Sequence, residues 1–324
     1  IVMKIIPDAD VTYASVKNGE LDFGRYTLTM KQSLQLEKEH SDIFTVYYVQ
    51  NIAPDLIFTN FRDPDNLSKT NFYFGDIRVR QALLHAINRD AINSLVYSNK
   101  GQVCDTWLTP LHIMRDALTD PSVKKYPYNV QKAKDLLAAA GWKAGKGGTL
   151  EKDGKPFKFP MIVAAGSTDA LTMAQMIQGM LKQVGIELEI DTKPAVLVWD
   201  ILPQGKFHAV LSGWGYGLSD EAAYYWTEDM IPSEENAFGG TNYTGWANKK
   251  VTNMSTKPSR NSISTRKSST ISNTWRNGRM ICPIFRWLLL QPRYSRKTTS
   301  NPSMQVTITV WAGSSKTGTS IDNR

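Results

Sequence analysis

The 324-residue chain is 41% hydrophobic and 21% charged, a globular balance that excludes collagen-like and low-complexity classes. No apolar run approaches the ~20 residues a membrane-spanning helix needs, and two cysteines, Cys104 and Cys282, outside any CxxC pair exclude a disulfide scaffold. The net charge of +8 is unevenly spread, since residues 1–248 hold 24 Lys+Arg against 29 Asp+Glu while residues 249–324 hold 14 against one acid, Asp322.

The chain opens Ile1-Val2-Met3 with no basic-then-apolar leader, so Ile1 reads as a cut end. Val11 to Lys17 is helical and stops at Asn18-Gly19. Leu21 to Phe23 reads as extended, and residues 29–40 as a polar helix. Ile43 to Val49 and Leu56 to Phe61 have the β-branched and aromatic content of strands. After Asp76, a good N-cap, Val79, Leu83, Leu84, Ile87 and Ile92 predict one long helix, with Arg78, Arg80 and Arg89 largely off its stripe. A helix from Asn129 through Ala133, Leu136 and Leu137 stops at Gly141. Residues 157–191 predict a βαβ unit: strand Phe157 to Val163, then helix Asp169 to Val184 with Leu171, Ala174, Ile177, Met180 and Leu181 inward, then a strand in which Ile186, Leu188 and Ile190 alternate with acids. A helix over 195–202 and a strand from Phe207 to Leu211 complete an α/β body.

The histidines His40, His85, His112 and His208 lack metal-ligand spacing, so no metal site is expected. The body also lacks a nucleophile elbow, HExxH and P-loop. Acidic runs such as Asp220-Glu221 and Glu228-Asp229 read as solvated surface, not as a hydrolytic pair. No cofactor is expected, and enzyme function is not.

Several segments resemble one family when taken together. Asp76-Ile77-Arg78-Val79-Arg80-Gln81-Ala82-Leu83 runs on to Ala86-Ile87-Asn88-Arg89. Tyr128-Asn129-Val130-Gln131-Lys132-Ala133 leads to Ala140-Gly141-Trp142. Ala174-Gln175-Met176-Ile177 with Val184-Gly185-Ile186, then Gly213-Trp214, then Asn242-Tyr243-Thr244-Gly245 follow in order, with Gly19-Glu20-Leu21-Asp22 upstream. These resemble the oligopeptide-, dipeptide- and nickel-binding receptors of bacterial ABC importers, the extracellular solute-binding proteins of family 5. The plainer reading of the first two motifs is amphipathic packing and a helix stop with an aromatic anchor.

The resemblance implies an α/β, two-lobed fold of periplasmic-binding-protein type II that closes on its ligand by hinge bending, with mostly the second lobe present. Residues 1–45 would be a remnant of the first lobe, 46–60 crossing strands at the hinge, and 61–248 the second lobe. It further implies capture of a peptide for import, permease and ATPase partners, and a place in the periplasm or on the outer face of the membrane, held there by the transporter or a lost lipid anchor. An oligosaccharide ligand is the alternative.

From about Lys249 the composition changes, with Ser and Thr making 24 of the last 76 residues. Read one base earlier, Met280 through Trp287 can spell Asp-Asp-Leu-Pro-Tyr-Ile-Pro-Met, and Thr252 through Ile263 an acidic helix, both features the family carries there. Residues 249–324 are therefore expected to be a basic tail translated in a shifted frame. A nucleic-acid arm built on clusters such as Arg266-Lys267 is the rival reading and is set aside; plain disorder is the third.

The candidate ligand segment is Ser212-Gly213-Trp214-Gly215-Tyr216-Gly217-Leu218-Ser219-Asp220, a glycine-rich loop leaving a strand end. Trp214 and Tyr216 could stack on a ligand, and Tyr225 belongs to an aromatic group beside them. Peptide-binding members carry an aspartate three positions after the tryptophan, where this chain has Gly217; the nearest acid is Asp220. Arg25 and Tyr26 are candidates from the first lobe by position. The glycine spacing has no capped helix or ribose-binding acid after it, so nucleotide binding is not expected.

Overall fold

A computed structural model describes residues 2, 4–6, 8–21, 28–42, 44–48, 53–106, 115–121, 123–215, 225–255, 284–286 and 306–310. In chain order, helices α1 (Ala9–Lys17) and α2 (Met30–Glu39) precede strands β1 (Phe44–Tyr48) and β2 (Asp55–Thr59) and the small hairpin β3 (Arg62–Asp63) and β4 (Asn66–Thr70). Helices α3 (Ile77–Ala86), α4 (Arg89–Tyr97) and α5 (Val130–Ala139) follow, then a ribbon of β5 (Lys143–Ala144), β6 (Leu150–Lys152) and β7 (Lys155–Pro156). Next come β8 (Lys158–Ala164), α6 (Thr168–Lys182), β9 (Glu187–Lys193), α7 (Ala195–Gln204) and β10 (Ala209–Gly213), and last α8 (Lys249–Ser255), β11 (Ile284–Arg286) and β12 (Val306–Val310).

Side-chain caps start most of the helices. Asp8, Thr29, Asp76, Asn88, Asn129 and Ser167 each accept a first-turn backbone N–H, satisfying donors that have no partner inside the helix. Asn88 is where the expected long helix breaks. Ile87 is extended (φ −103°, ψ 116°) and the Asn88 side chain caps α4 through the Ala91 N–H. The apolar stripe survives the break, because Ile87 and Ile92 are both buried.

The central sheet has the order β11-β2-β10-β8-β9. β8, β9 and β10 are parallel, while β2 runs antiparallel to β10. The expected β8–α6–β9 unit forms, and the sheet's two faces bury alternate residues. One face carries Ile57, Met161, Val163, Leu188 and Leu211 into a large core with α3, α4, α5 and α6. The other carries Leu56, Phe58, Ile162 and Val210 into a smaller core with Val198 and Leu202 of α7, Phe207 and Trp226. A third cluster joins Val16, Leu28, Met30, Leu36, Val46 and Tyr48, and Tyr97 of α4 packs against both it and the large core.

The motifs that carried the resemblance serve this scaffold. Gly141 ends α5 at φ +90°, and Trp142 then stacks on Phe157 with centroids 4.1 Å apart. Buried Asn242 donates through Nδ2 to the carbonyls of Thr227 and Trp246 and accepts from the Thr244 hydroxyl, while the Phe61 N–H donates to the Thr244 carbonyl. Gly245, at φ +67°, leaves room for the Arg62 side chain where a Cβ would stand.

Three further sequence expectations change. Arg80 and Arg89, read as off the apolar stripe, are each only 7% exposed. Arg80 donates to the Phe74 and Gly75 carbonyls and lies 4.4 Å from the Phe61 ring centroid, so its charge is buried with partners. Arg89 donates to the Cys104 carbonyl and pairs with Asp105 at 3.1 Å. Leu171, expected inside α6, is exposed, and Met173 is buried instead. In the tail, where the sequence reading assigned no element, Lys249–Ser255 is helical, Ile284–Arg286 pairs antiparallel with β2, and Val306–Val310 pairs parallel with β1. Val306-Thr307-Ile308-Thr309-Val310 is wholly β-branched, the composition a strand prefers.

Candidate functional site

The three parallel strands β8, β9 and β10 end at Ala164, Lys193 and Gly213, and antiparallel β2 begins beside them, with Asp55 opposite Gly213. This edge of the sheet is where α/β folds place ligands. Asp55, Tyr97 and Asp169 meet there on the face of the large core, and the Trp214 ring lies at the same edge on the opposite face, against the smaller core.

The Tyr97 hydroxyl donates to Asp55 Oδ2 at 3.1 Å. A Cβ built on Gly213 would lie 3.6 Å from Asp55 Oδ1, so the bare Gly213 backbone faces the second carboxylate oxygen. Burial pushes the Asp55 carboxyl up to about 6; the Tyr97 hydrogen bond opposes this, and the nearby Asp169 charge adds to it. Asp169, in the first turn of α6, is itself raised by burial, against a hydrogen bond from the Met30 backbone N–H. That bond ties the start of α2 to the start of α6. Tyr97 is held well above the usual phenol range by burial and by the charges of Asp55 and Asp169. Such a pair of carboxylates favours a cationic ligand group, which would relieve their mutual repulsion.

Trp214 continues the edge. Its backbone N–H donates to the Pro54 carbonyl at 3.1 Å. Its ring meets Phe58 and Tyr243 edge-on, with centroids 5.9 and 5.4 Å away, and lies 5.6 Å from Trp199 of α7. These neighbours hold the indole in place while leaving it only partly buried. Tyr225 packs partly buried against the smaller core, beneath the edge. Tyr216, Gly217, Asp220, Arg25 and Tyr26 lie outside the described residues.

Of the seven residues singled out from the sequence, Trp214 is therefore the one that stands at this sheet edge, with its ring on the face opposite Asp55. Sequence reading missed Asp55, Tyr97, Asp169 and Trp199. Asp55 carried a usable signal, an acid opening a strand whose next three residues are apolar. Asp169 did not, because an acid in a helix's first turn is ordinary. Among the described residues no group of three His, Cys, Asp or Glu could hold a metal ion, and no helix is long and apolar enough to cross a membrane.

Residues 1–229 match the family model described as bacterial extracellular solute-binding proteins, family 5 Middle. The oligopeptide-binding protein AppA of Bacillus subtilis (strain 168) is 31% identical over 221 residues, 66% of this chain and 37% of that protein. The structure of AppA from Bacillus subtilis in complex with a nonapeptide is 25% identical, with a TM-score of 0.67 over 85% of this chain and 51% of the other. The oligopeptide binding protein of Thermus thermophilus, complexed with a pentapeptide, shares the fold at 22% identity and a TM-score of 0.73, over 88% of this chain and 50% of the other. The chain thus spans 37% of the length of its AppA relative and about half of these structures. With most of its length matched by the family model and its α/β architecture shared with these binding proteins, the chain belongs to the family 5 bacterial extracellular solute-binding proteins.

Proposed function

We propose that this chain captures a peptide outside the cytoplasm, in the periplasm or at the outer face of the membrane, and delivers it to the permease and ATPase subunits of an ABC importer. The observation that carries this reading is the cluster of Asp55, Tyr97 and Asp169 at the strand-end edge of the sheet, where Trp214 stands on the other face, in a chain whose relative AppA is an oligopeptide-binding protein. Carboxylates suit a peptide's α-amino group, and indoles suit its side chains. No bond is made or broken. A receptor needs only different affinities in its open and closed states.

In this reading residues 1–45, with the cluster around Leu36 and Val16, belong to the first lobe. Residues 46–60 carry the strands that cross between lobes, and residues 61–248 form the second lobe. Residues 249–324 are a shifted translation, which an intact reading frame across the codons for Lys250 to Asn253 would refute.

A second reading, an oligosaccharide ligand, draws on Gly217 in place of the aspartate of peptide-binding members and on the indoles of Trp199 and Trp214. Thermal denaturation with peptides and with oligosaccharides separates the two. A ligand at 100 times its Kd stabilises by about 2.7 kcal/mol. A saturable shift with peptides is the expected result. Hydrolysis of either ligand class without a saturable shift would overturn the receptor reading altogether.

A further inference from the structure

The body built from α1, α2 and β1 meets the large core along a seam. Tyr97 of α4 packs against both clusters. Just past α4, the Lys100 ammonium lies 4.8 Å from the ring centroid of buried Tyr48, whose hydroxyl donates to Glu37 Oε2 at 3.1 Å. A further contact is the Met30 backbone N–H, which donates to Asp169 of α6. Met30 opens α2, so this N–H has no partner inside its own helix, and a carboxylate at a helix N-terminus is well placed to accept it.

The same seam carries the acid pair. Asp55 accepts from the Tyr97 hydroxyl, which belongs to the side chain that bridges the two clusters. The Asp169 charge opposes ionisation of Asp55. The groups acting on the pair are Tyr97 from α4 and the Met30 N–H from α2, while β10 presents the uncharged Gly213. Among the described residues no cation acts on either acid, and Lys100 and Glu37 act on neither. The α2 N-terminus favours the ionised form of Asp169, so the first proton taken up goes to Asp55. Asp55, Tyr97 and Asp169 are each only partly covered, which leaves them open to protons from solvent. With both acids ionised, lifting the end of α2 off α6 brings water to the carboxylates and relieves their repulsion. With Asp55 neutral that gain is lost, and the Met30 contact stays shut.

We propose that Asp55 and Asp169 form a proton-operated latch on this seam, in which neutral Asp55 holds α2 against α6 and ionised Asp55 releases it. In the open state, with water at the carboxylate, Asp55 returns towards its ordinary value of 3.8. The latched state is therefore favoured most below that value and loses its advantage as pH rises to about 6. In the receptor reading, on which this consequence alone rests, α2 belongs to the first lobe and α6 to the second, so the latch sets how readily the lobes part.

The test is hydrogen exchange of the Met30 amide in the 324-residue chain at pH 5 and pH 7.5, resolved by NMR and corrected for the intrinsic pH dependence of exchange. Protection is expected to be about tenfold higher at pH 5, the ratio that one carboxyl shifted from 3.8 to about 6 supplies. Asp55→Asn should keep the high protection at both pH values, to within about threefold. Equal protection of the wild-type Met30 amide at the two pH values overturns the latch. So does an Asp55→Asn chain that retains the wild-type pH dependence. A Met30 amide as strongly protected at pH 7.5 as that of the fully buried Ile177 also overturns it, since unfolding of the whole chain would then be what frees α2. The measurement needs no ligand, so each of these failures leaves the receptor reading standing.

Discussion

The two faces of the central sheet are built to different standards. The face under α3 to α6 gathers twenty-seven buried apolar residues into one cluster, and the face under α7 gathers eight. The larger face takes in most of the motifs by which the family is recognised: the helix after Asp76, the Ala-Gly-Trp stop and the α6 segment. The smaller face leaves Trp199 46% exposed and Trp214 only partly covered. The recognisable sequence thus marks the scaffold, and the candidate indoles lie where packing is incomplete.

Substitutions on the two faces should behave accordingly. The largest effect belongs to the large core. Phe157 is fully buried and stacked on Trp142, so Phe157→Ala should cost about 3–5 kcal/mol in denaturant-unfolding experiments. A loss below about 1 kcal/mol would mean that this face is no better packed than the other.

The edge between the faces should respond to pH. Asp55 has a folded-state pKa of about 6, above the ordinary carboxyl value of 3.8. Between these values the folded state binds more protons than the unfolded chain, so stability falls as pH rises and stays lower above about pH 6. Asp55→Asn removes the buried charge and should stabilise the chain by about 2 kcal/mol at pH 8, with the gain fading towards pH 4. A pH-independent difference between the two proteins would show that burial of this charge is not what strains the edge.

Smaller effects calibrate the periphery. Thr29 caps α2 in a reciprocal box with Gln32, the Gln32 N–H donating to its hydroxyl at 3.2 Å. Thr29→Ala should lower stability by about 1 kcal/mol. Trp199→Ala, on the open face, should change unfolding free energy by less than about 0.5 kcal/mol. A larger loss would place Trp199 in the core and erase the contrast between the faces.

Local chemistry made much of this fold legible. Asn129, Asp76 and Gly141 announce helix ends because a cap needs only its own turn. Period-two alternation from Ile186 to Ile190 announces a half-buried strand. Where reading failed, the missing information was non-local. Nothing near Arg80 in the sequence says that the Phe74 and Gly75 carbonyls and the Phe61 ring will enclose its guanidinium. Leu171 and Met173 both lie near the apolar stripe of α6, and only the sheet beneath decides which is covered. The break at Asn88 was readable in principle, since asparagine caps helices, but the unbroken apolar stripe outweighed it.

Sequence alone determined the family, the α/β order of elements, most helix termini and the place of Trp214 on a loop leaving a strand, because each depends on residues close together in the chain. Tertiary structure decided which acids meet at the strand-end edge. Asp55, Tyr97 and Asp169 come from a strand and two separate helices, and only the sheet order and the packing of α4 and α6 bring them together. It also decided that Trp199 faces outwards beside Trp214, because the sheet takes Val198 and Leu202 and leaves the next position in solvent.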